Sequence, residues 1–138
     1  MAVVLDTSVV VALAIADEPD HEEVRDWILT QEDDLLTTPL VLAEIDHVIG
    51  RRAGTVVSQQ VWTDFERGAY EVRWWPQALE RTLSVLRHEE RLGAGIVDAS
   101  LVALAERLET TSVATLDHRH FRRLTIAGKP CTVLPADS

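Results

Sequence analysis

The stretch Val3-Val4-Leu5-Asp6-Thr7-Ser8-Val9-Val10-Val11-Ala12-Leu13 decides how the rest of the chain is read. Residues 2–5 form a short apolar run rich in β-branched side chains, which predicts a central parallel strand covered on both faces. Thr7 or Ser8 is expected to cap a helix running through Val9 to about Ala16. Asp6 therefore falls at the carboxyl end of a strand, the edge at which open α/β sheets bind ligands. A single aspartate there decides nothing; what matters is whether other carboxylates reach the same edge.

Working outward, Asp17-Glu18-Pro19-Asp20 breaks the first helix, and a second is expected from about Asp20 to Leu29. Leu35-Leu36-Thr37 reads as a second strand. Thr38-Pro39 then supplies an N-cap and a first-turn proline for a helix reaching about Arg52 and ending before Gly54. A fourth helix covers about Val56 to Arg67. Residues 70–75 read as a weakly alternating strand, and a long helix follows from Gln77 to about Arg91. Ile96 opens a helix in which Val97, Leu101, Leu104 and Leu108 recur at i, i+4, i+7 and i+11, predicting an amphipathic stripe. Thr111 to Thr115 and Thr132 to Leu134 complete the strands. Strands alternating with helices predict one α/β domain over residues 1–138 with a mostly parallel sheet.

The 138 residues suffice for one sizeable core. No apolar run reaches the ~20 residues of a membrane span, and no basic segment precedes the first one, so neither an anchor nor a signal peptide is expected. A lone cysteine, Cys131, leaves no internal disulfide and suits a reducing cytoplasm. The net charge of −10 argues at first against a polyanionic ligand, but residues 17–34 alone carry −8 of it. That acidic run reads as a solvated helix face. Bases gather elsewhere, at Arg51-Arg52, from Arg87 to Arg91 and from His118 to Arg123, so nucleic acid is not excluded.

Four carboxylates merit comparison. Asp117 repeats the position of Asp6, just past a strand. Asp98 falls in the first turn of its helix, where the dipole and free N–H groups favour an anion. Glu44 lies at the margin of the apolar face made by Val41, Ile45, Val48 and Ile49. If these four converge, two unit charges ~4 Å apart repel by about 4 kcal/mol at an effective dielectric near 20, so the cluster must take up protons or hold a cation. Hard oxygen donors select Mg²⁺ or Mn²⁺, which leaves room for a phosphate and a water, the plan of a phosphodiesterase or nuclease.

The segments Val-Leu-Asp6-Thr-Ser8, Thr38-Pro-Leu-Val-Leu-Ala-Glu44, Ile-Val-Asp98-Ala-Ser-Leu-Val-Ala-Leu-Ala and Ala-Thr115-Leu-Asp117-His-Arg-His-Phe121 together resemble PIN-domain ribonucleases, most of all the VapC-type toxins of VapBC toxin–antitoxin pairs. The resemblance implies a three-layer α/β/α fold with a five-stranded, mostly parallel sheet. It implies a metal-dependent endoribonuclease in which Asp6 and Asp98 are the principal ligands of Mg²⁺ or Mn²⁺. Glu44 would bind through the metal's water shell or help orient the attacking water, and Asp117 would complete the cluster or hold a second metal. Ser8 and Thr115 would orient these carboxylates. The metal would activate a water for in-line attack on phosphorus, leaving 5′-phosphate and 3′-hydroxyl ends. Arg119, Arg122 and Arg123 would steer RNA phosphates, although plain surface charge explains them equally well. A small antitoxin protein is the implied partner, in a homodimer or a heterotetramer with antitoxin.

Three other readings compete. The same fold could bind RNA or a partner without cleavage, or serve as a housekeeping RNA-processing nuclease. An aspartyl-phosphate phosphatase or receiver domain would also place an aspartate at a strand end. Ser8 stands where the dehalogenase-like phosphatases carry a second aspartate, and no acidic pair precedes Asp6 as a receiver requires.

Overall fold

The computed structural model describes residues 1–89 and 93–138. The chain runs β1 (Ala2–Leu5), α1 (Thr7–Ala14), α2 (His21–Leu29), β2 (Asp34–Thr37), α3 (Pro39–Arg52), α4 (Gly54–Glu66), β3 (Glu71–Val72), α5 (Ala78–His88), α6 (Ile96–Arg107), β4 (Ser112–Ala114), α7 (His118–Phe121), β5 (Thr125–Ile126), β6 (Lys129–Pro130) and β7 (Thr132–Leu134). Five strands form one sheet in the order β3-β2-β1-β4-β7, and every neighbouring pair is parallel. Val4 sits in register with Leu36 on one side and Val113 on the other.

Successive strand residues face opposite sides of a sheet, and Val3, Val4 and Leu5 are all at most 1% exposed. Both faces of β1 are therefore covered, as its unbroken apolar run predicts. From β1 the chain moves to β2 and β3 on one side, then crosses through α5 and α6 to β4 on the other. The β1/β4 boundary is thus the point where strand order reverses, and the loops leaving those two strands flank a crevice.

Several elements differ from the sequence reading. The cap of α1 is Asp6 itself: its Oδ1 accepts the Thr7 backbone N–H at 2.8 Å. An extended backbone at Asp6 (φ −83°, ψ 157°) puts its short carboxylate beside the helix's first free donor, so neither Thr7 nor Ser8 is needed as the cap. Gly54 opens α4 rather than merely separating two helices. The strand expected over 70–75 shortens to the exposed edge pair Glu71–Val72. Helix α5 reaches His88; the Arg91 end of the expected helix lies outside the described residues.

The amphipathic stripe expected on α6 is replaced by a helix buried on every side from Ala99 to Ala105. Packing against β1, α3, α5 and β5 explains this, and the small residues Ala99, Ser100, Ala103 and Ala105 permit the close approach. The start of α3 matches expectation: Thr38 caps it, with Oγ1 accepting the Val41 N–H, and Pro39 occupies the first position. Thr38 Oγ1 also bonds Ser100 Oγ at 2.8 Å, which ties α3 to α6 inside the core. The β5–β6 hairpin has no counterpart in the sequence reading. Its turn residues Ala127 and Gly128 both take positive φ (52° and 79°), and the sequence signal is weak because Ala stands where Asn or Asp would announce such a turn. Among the described residues no helix is long and apolar enough to cross a membrane.

Candidate functional site

Asp6 leaves β1 at the switch point and is only 6% exposed. A buried carboxylate needs partners, and three donors meet it. The Thr7 N–H reaches Oδ1, while Oδ2 accepts from Thr115 Oγ1 at 2.7 Å and Ser8 Oγ at 3.0 Å. Each hydroxyl is in turn an acceptor. Ser8 Oγ takes the Leu116 N–H at 2.9 Å, and Thr115 Oγ1 takes the Asp117 N–H at 3.0 Å. With both hydroxyl protons committed to Asp6, the 3.3 Å separation of Ser8 Oγ and Thr115 Oγ1 is a packing contact. Two backbone amides of the β4–α7 loop are thereby coupled through two hydroxyls to one carboxylate oxygen.

That loop delivers Asp117, whose Oδ1 caps the short helix α7 by accepting the His120 N–H at 3.3 Å. Asp98 sits in the first turn of α6, and Glu44 lies half-buried in the middle of α3. Asp6, Glu44, Asp98 and Asp117 line one open cleft of about 630 Å³. Ser8 lines it too, whereas Thr115 is fully buried beneath it. The same cleft is bounded by Glu18, Asp20, Val48 and Arg52. Arg119, Arg122 and Arg123 are exposed and stand off this wall, and Arg122 is engaged by Asp137 through paired bonds of 2.6 and 2.8 Å.

The cluster's electrostatics follow from burial and like charge. Burial raises the Asp6 pKa, opposed by its Thr115, Ser8 and Thr7 hydrogen bonds, and the Glu44 charge raises it further. Burial also pushes Asp98 up to about 6, helped by the negative charges of Asp6, Glu44 and Asp117 and opposed by His120. His120 Nε2 stands 3.1 Å from Asp98 Oδ2, an ion-pair distance, but the angle makes no aligned hydrogen bond. His120 belongs to the same short helix as Phe121, whose ring is fully buried.

The donor set is wholly hard oxygen, and the four carboxylates feel one another, which suits a divalent cation of the magnesium class. Among the described residues no three His, Cys, Asp or Glu side chains are gathered tightly enough to cage an ion unaided.

Two features escaped the sequence reading. Glu18 and Asp20 belong to the acidic run read as a solvated face; seven of its nine acids are exposed, but these two turn toward the cleft. Arg52 belongs to the noted Arg51-Arg52 pair, and its spacing of eight from Glu44, two helical turns, was the available signal.

The PIN-domain family matches residues 3–126. Over 134 residues, 96% of this chain and 99% of the relative, the protein is 35% identical to Ribonuclease VapC26 of Mycobacterium tuberculosis. Two solved structures share the fold. One is M. tuberculosis VapC20, described as a toxin that cleaves the sarcin–ricin loop (TM-score 0.78, 18% identity, 86% of this chain and 92% of that one). The other is VapBC2 of Rickettsia felis bound to a DNA fragment from its promoter (TM-score 0.70, 15% identity, 96% and 98%). With the parallel sheet and its switch-point carboxylates already described, these matches make the chain a member of the PIN-domain family, of the VapC type.

Proposed function

We propose that this protein is a Mg²⁺- or Mn²⁺-dependent endoribonuclease, the toxin of a type II toxin–antitoxin pair, hydrolysing RNA phosphodiester bonds at Asp6, Glu44, Asp98 and Asp117. The observation that carries the reading is the convergence of these side chains, delivered by β1, α3, α6 and the loop after β4, on one cleft at the switch point. Similarity to a named ribonuclease over nearly the whole chain supports the activity, and the VapBC complex among its structural relatives supports an antitoxin partner.

Asp6 and Asp98 are the principal ligands in this reading, with Glu44 and Asp117 completing the cluster. An ion held there would supply charge neutralisation, activation of a water and polarisation of the scissile phosphate. The chain supplies geometry. Ser8 and Thr115 both bond Oδ2 and fix the Asp6 carboxylate, while Oδ1, which accepts only the Thr7 N–H, keeps acceptor capacity for a ligand without reorganising when charge develops. Glu44 lines the same cleft from the middle of α3, where its carboxylate can accept a proton from a water aligned with the phosphorus.

The test is RNA cleavage by purified protein with Mg²⁺ or Mn²⁺, wild type beside Asp6→Ala and Asp98→Ala, with EDTA as control. Cleavage by the wild type alone, abolished by EDTA, is the expected result. Equal cleavage by all three proteins, or cleavage that survives EDTA, would overturn the assignment.

A further inference from the structure

The carboxylate cleft poses a charge problem for a polyanionic substrate. Six acids line it: Asp6, Glu18, Asp20, Glu44, Asp98 and Asp117. Among the described lining residues, Arg52 is the only lysine or arginine. It ends α3, and Glu44, Val48 and Arg52 recur at i, i+4 and i+8, so one stripe of that helix carries both a cluster carboxylate and the cation. Eight residues of helix separate the two by roughly 12 Å along the axis.

Arg52 is held at that rim. Its Nη2 pairs with Oε1 of Glu18, whose side chain is only 17% exposed, while the Arg52 side chain remains 52% exposed. A guanidinium presents five N–H donors in a planar fork, so pairing with one carboxylate leaves further donors on a side chain that lines the cleft. Other arginines near acids are engaged away from the cleft: Arg122 with Asp137, Arg81 with Glu106, Arg73 with Glu71.

We infer that Arg52, oriented by Glu18, binds a backbone phosphate of the RNA at the rim of the cleft, displaced along the strand from the scissile bond. The inference rests on the ribonuclease reading and names one residue that positions its substrate. A phosphate bound away from the reacting atoms is held alike in the ground and transition states. Loss of the contact therefore raises KM and spares kcat.

The experiment compares Arg52→Gln with Arg51→Gln. Both remove one positive charge from adjacent exposed positions, but only Arg52 lines the cleft. Binding of a fluorescein-labelled single-stranded RNA of mixed sequence is followed by anisotropy across a salt series, with calcium in solution. Arg52→Gln is expected to weaken binding roughly tenfold and to reduce the slope of log K against log salt by about one, with Arg51→Gln close to wild type. Arg52→Lys retains the charge and is expected to keep the slope, and thermal melts show whether each variant folds. Equal losses in Arg51→Gln and Arg52→Gln would reduce the effect to overall charge and overturn the inference.

A cleavage arm separates this failure from failure of the ribonuclease reading. If the wild type cuts RNA and Arg52→Gln changes neither KM nor the salt slope, the inference falls and the ribonuclease reading stands. If the wild type binds through Arg52 yet leaves this RNA and total cellular RNA intact with magnesium or manganese, the ribonuclease reading falls and the phosphate contact stands.

Discussion

Asp98→Asn should make the metal-free protein more stable while abolishing its activity. The Asp98 carboxyl titrates near 6 in the folded chain, for reasons of burial and of the neighbouring Asp6, Glu44 and Asp117 charges, against 3.8 ordinarily. A folded-state pKa above the unfolded one means that the native state binds more protons between the two values, so stability falls as pH rises through that window. Above it the full penalty applies, about 3 kcal/mol for a shift of this size. Asp6 shifts in the same direction and adds to the trend. Asparagine cannot ionise, so Asp98→Asn should recover a good part of that loss at pH 7.5 and little at pH 4. The assay is urea unfolding in EDTA at both pH values, followed by the four tryptophans. Manganese should then narrow the gap at pH 7.5: an ion at about 100 times its Kd adds about 2.7 kcal/mol to the wild type, and less to the variant. If Asp98→Asn is no more stable than wild type at pH 7.5 without metal, the electrostatic account of the cleft is wrong.

Thr115→Val removes the 2.7 Å donor to Asp6 and the acceptor of the Asp117 N–H. Metal affinity or activity should fall about 10- to 100-fold, with Thr115→Ser recovering most of it in steady-state cleavage assays. Glu109 ends α6 at φ 56°, with its own N–H and that of Thr110 turned back to Glu106 and Ala105. Glu109→Gly relieves the left-handed penalty and should raise stability by about 1 kcal/mol in urea unfolding. Arg122 and the Val133 N–H hold Asp137 down at about 2. The stability this contributes is present above the ordinary carboxylate range and lost as pH falls toward 2, so Asp137→Asn should flatten the acid limb of a melting profile.

Fold and cluster were legible to different depths in the sequence. The β1 run, the Thr38-Pro39 start of α3 and the strand–helix alternation each rest on local chemistry, and the structure reproduces them with small shifts of boundary. Helix α6 misled because periodicity reports only which residues are apolar. Alanines and Ser100 between the leucines also lie inside, and only tertiary packing decides that. The capping of α1 misled because Asp6 fills two roles. Its aspartate oxygens serve as helix cap and as members of the cleft, and the local rule alone would pass the cap to Thr7 or Ser8. Glu18 and Asp20 were hidden by their neighbours, since a run of like charge gives no sign of which members turn inward.

The position of Asp6 explains how an unfavourable cluster is tolerated. It follows the most deeply buried strand, flanked on both sides by parallel neighbours, so the backbone that bears it cannot relax away from the other carboxylates. Its amide is itself pinned, donating to the Ala114 carbonyl at 2.9 Å across to β4. Thr115 then locks the side chain from that same strand end. The frame thus keeps the Asp6 charge within reach of Glu44 and Asp98, and that repulsion would be relieved by protons or by the proposed cation. On the proposed metal-dependent reading, a looser frame would be more stable without metal and bind it more weakly. Substitutions that soften the β1–β4 contact should therefore reduce metal affinity even when none of the four carboxylates is touched.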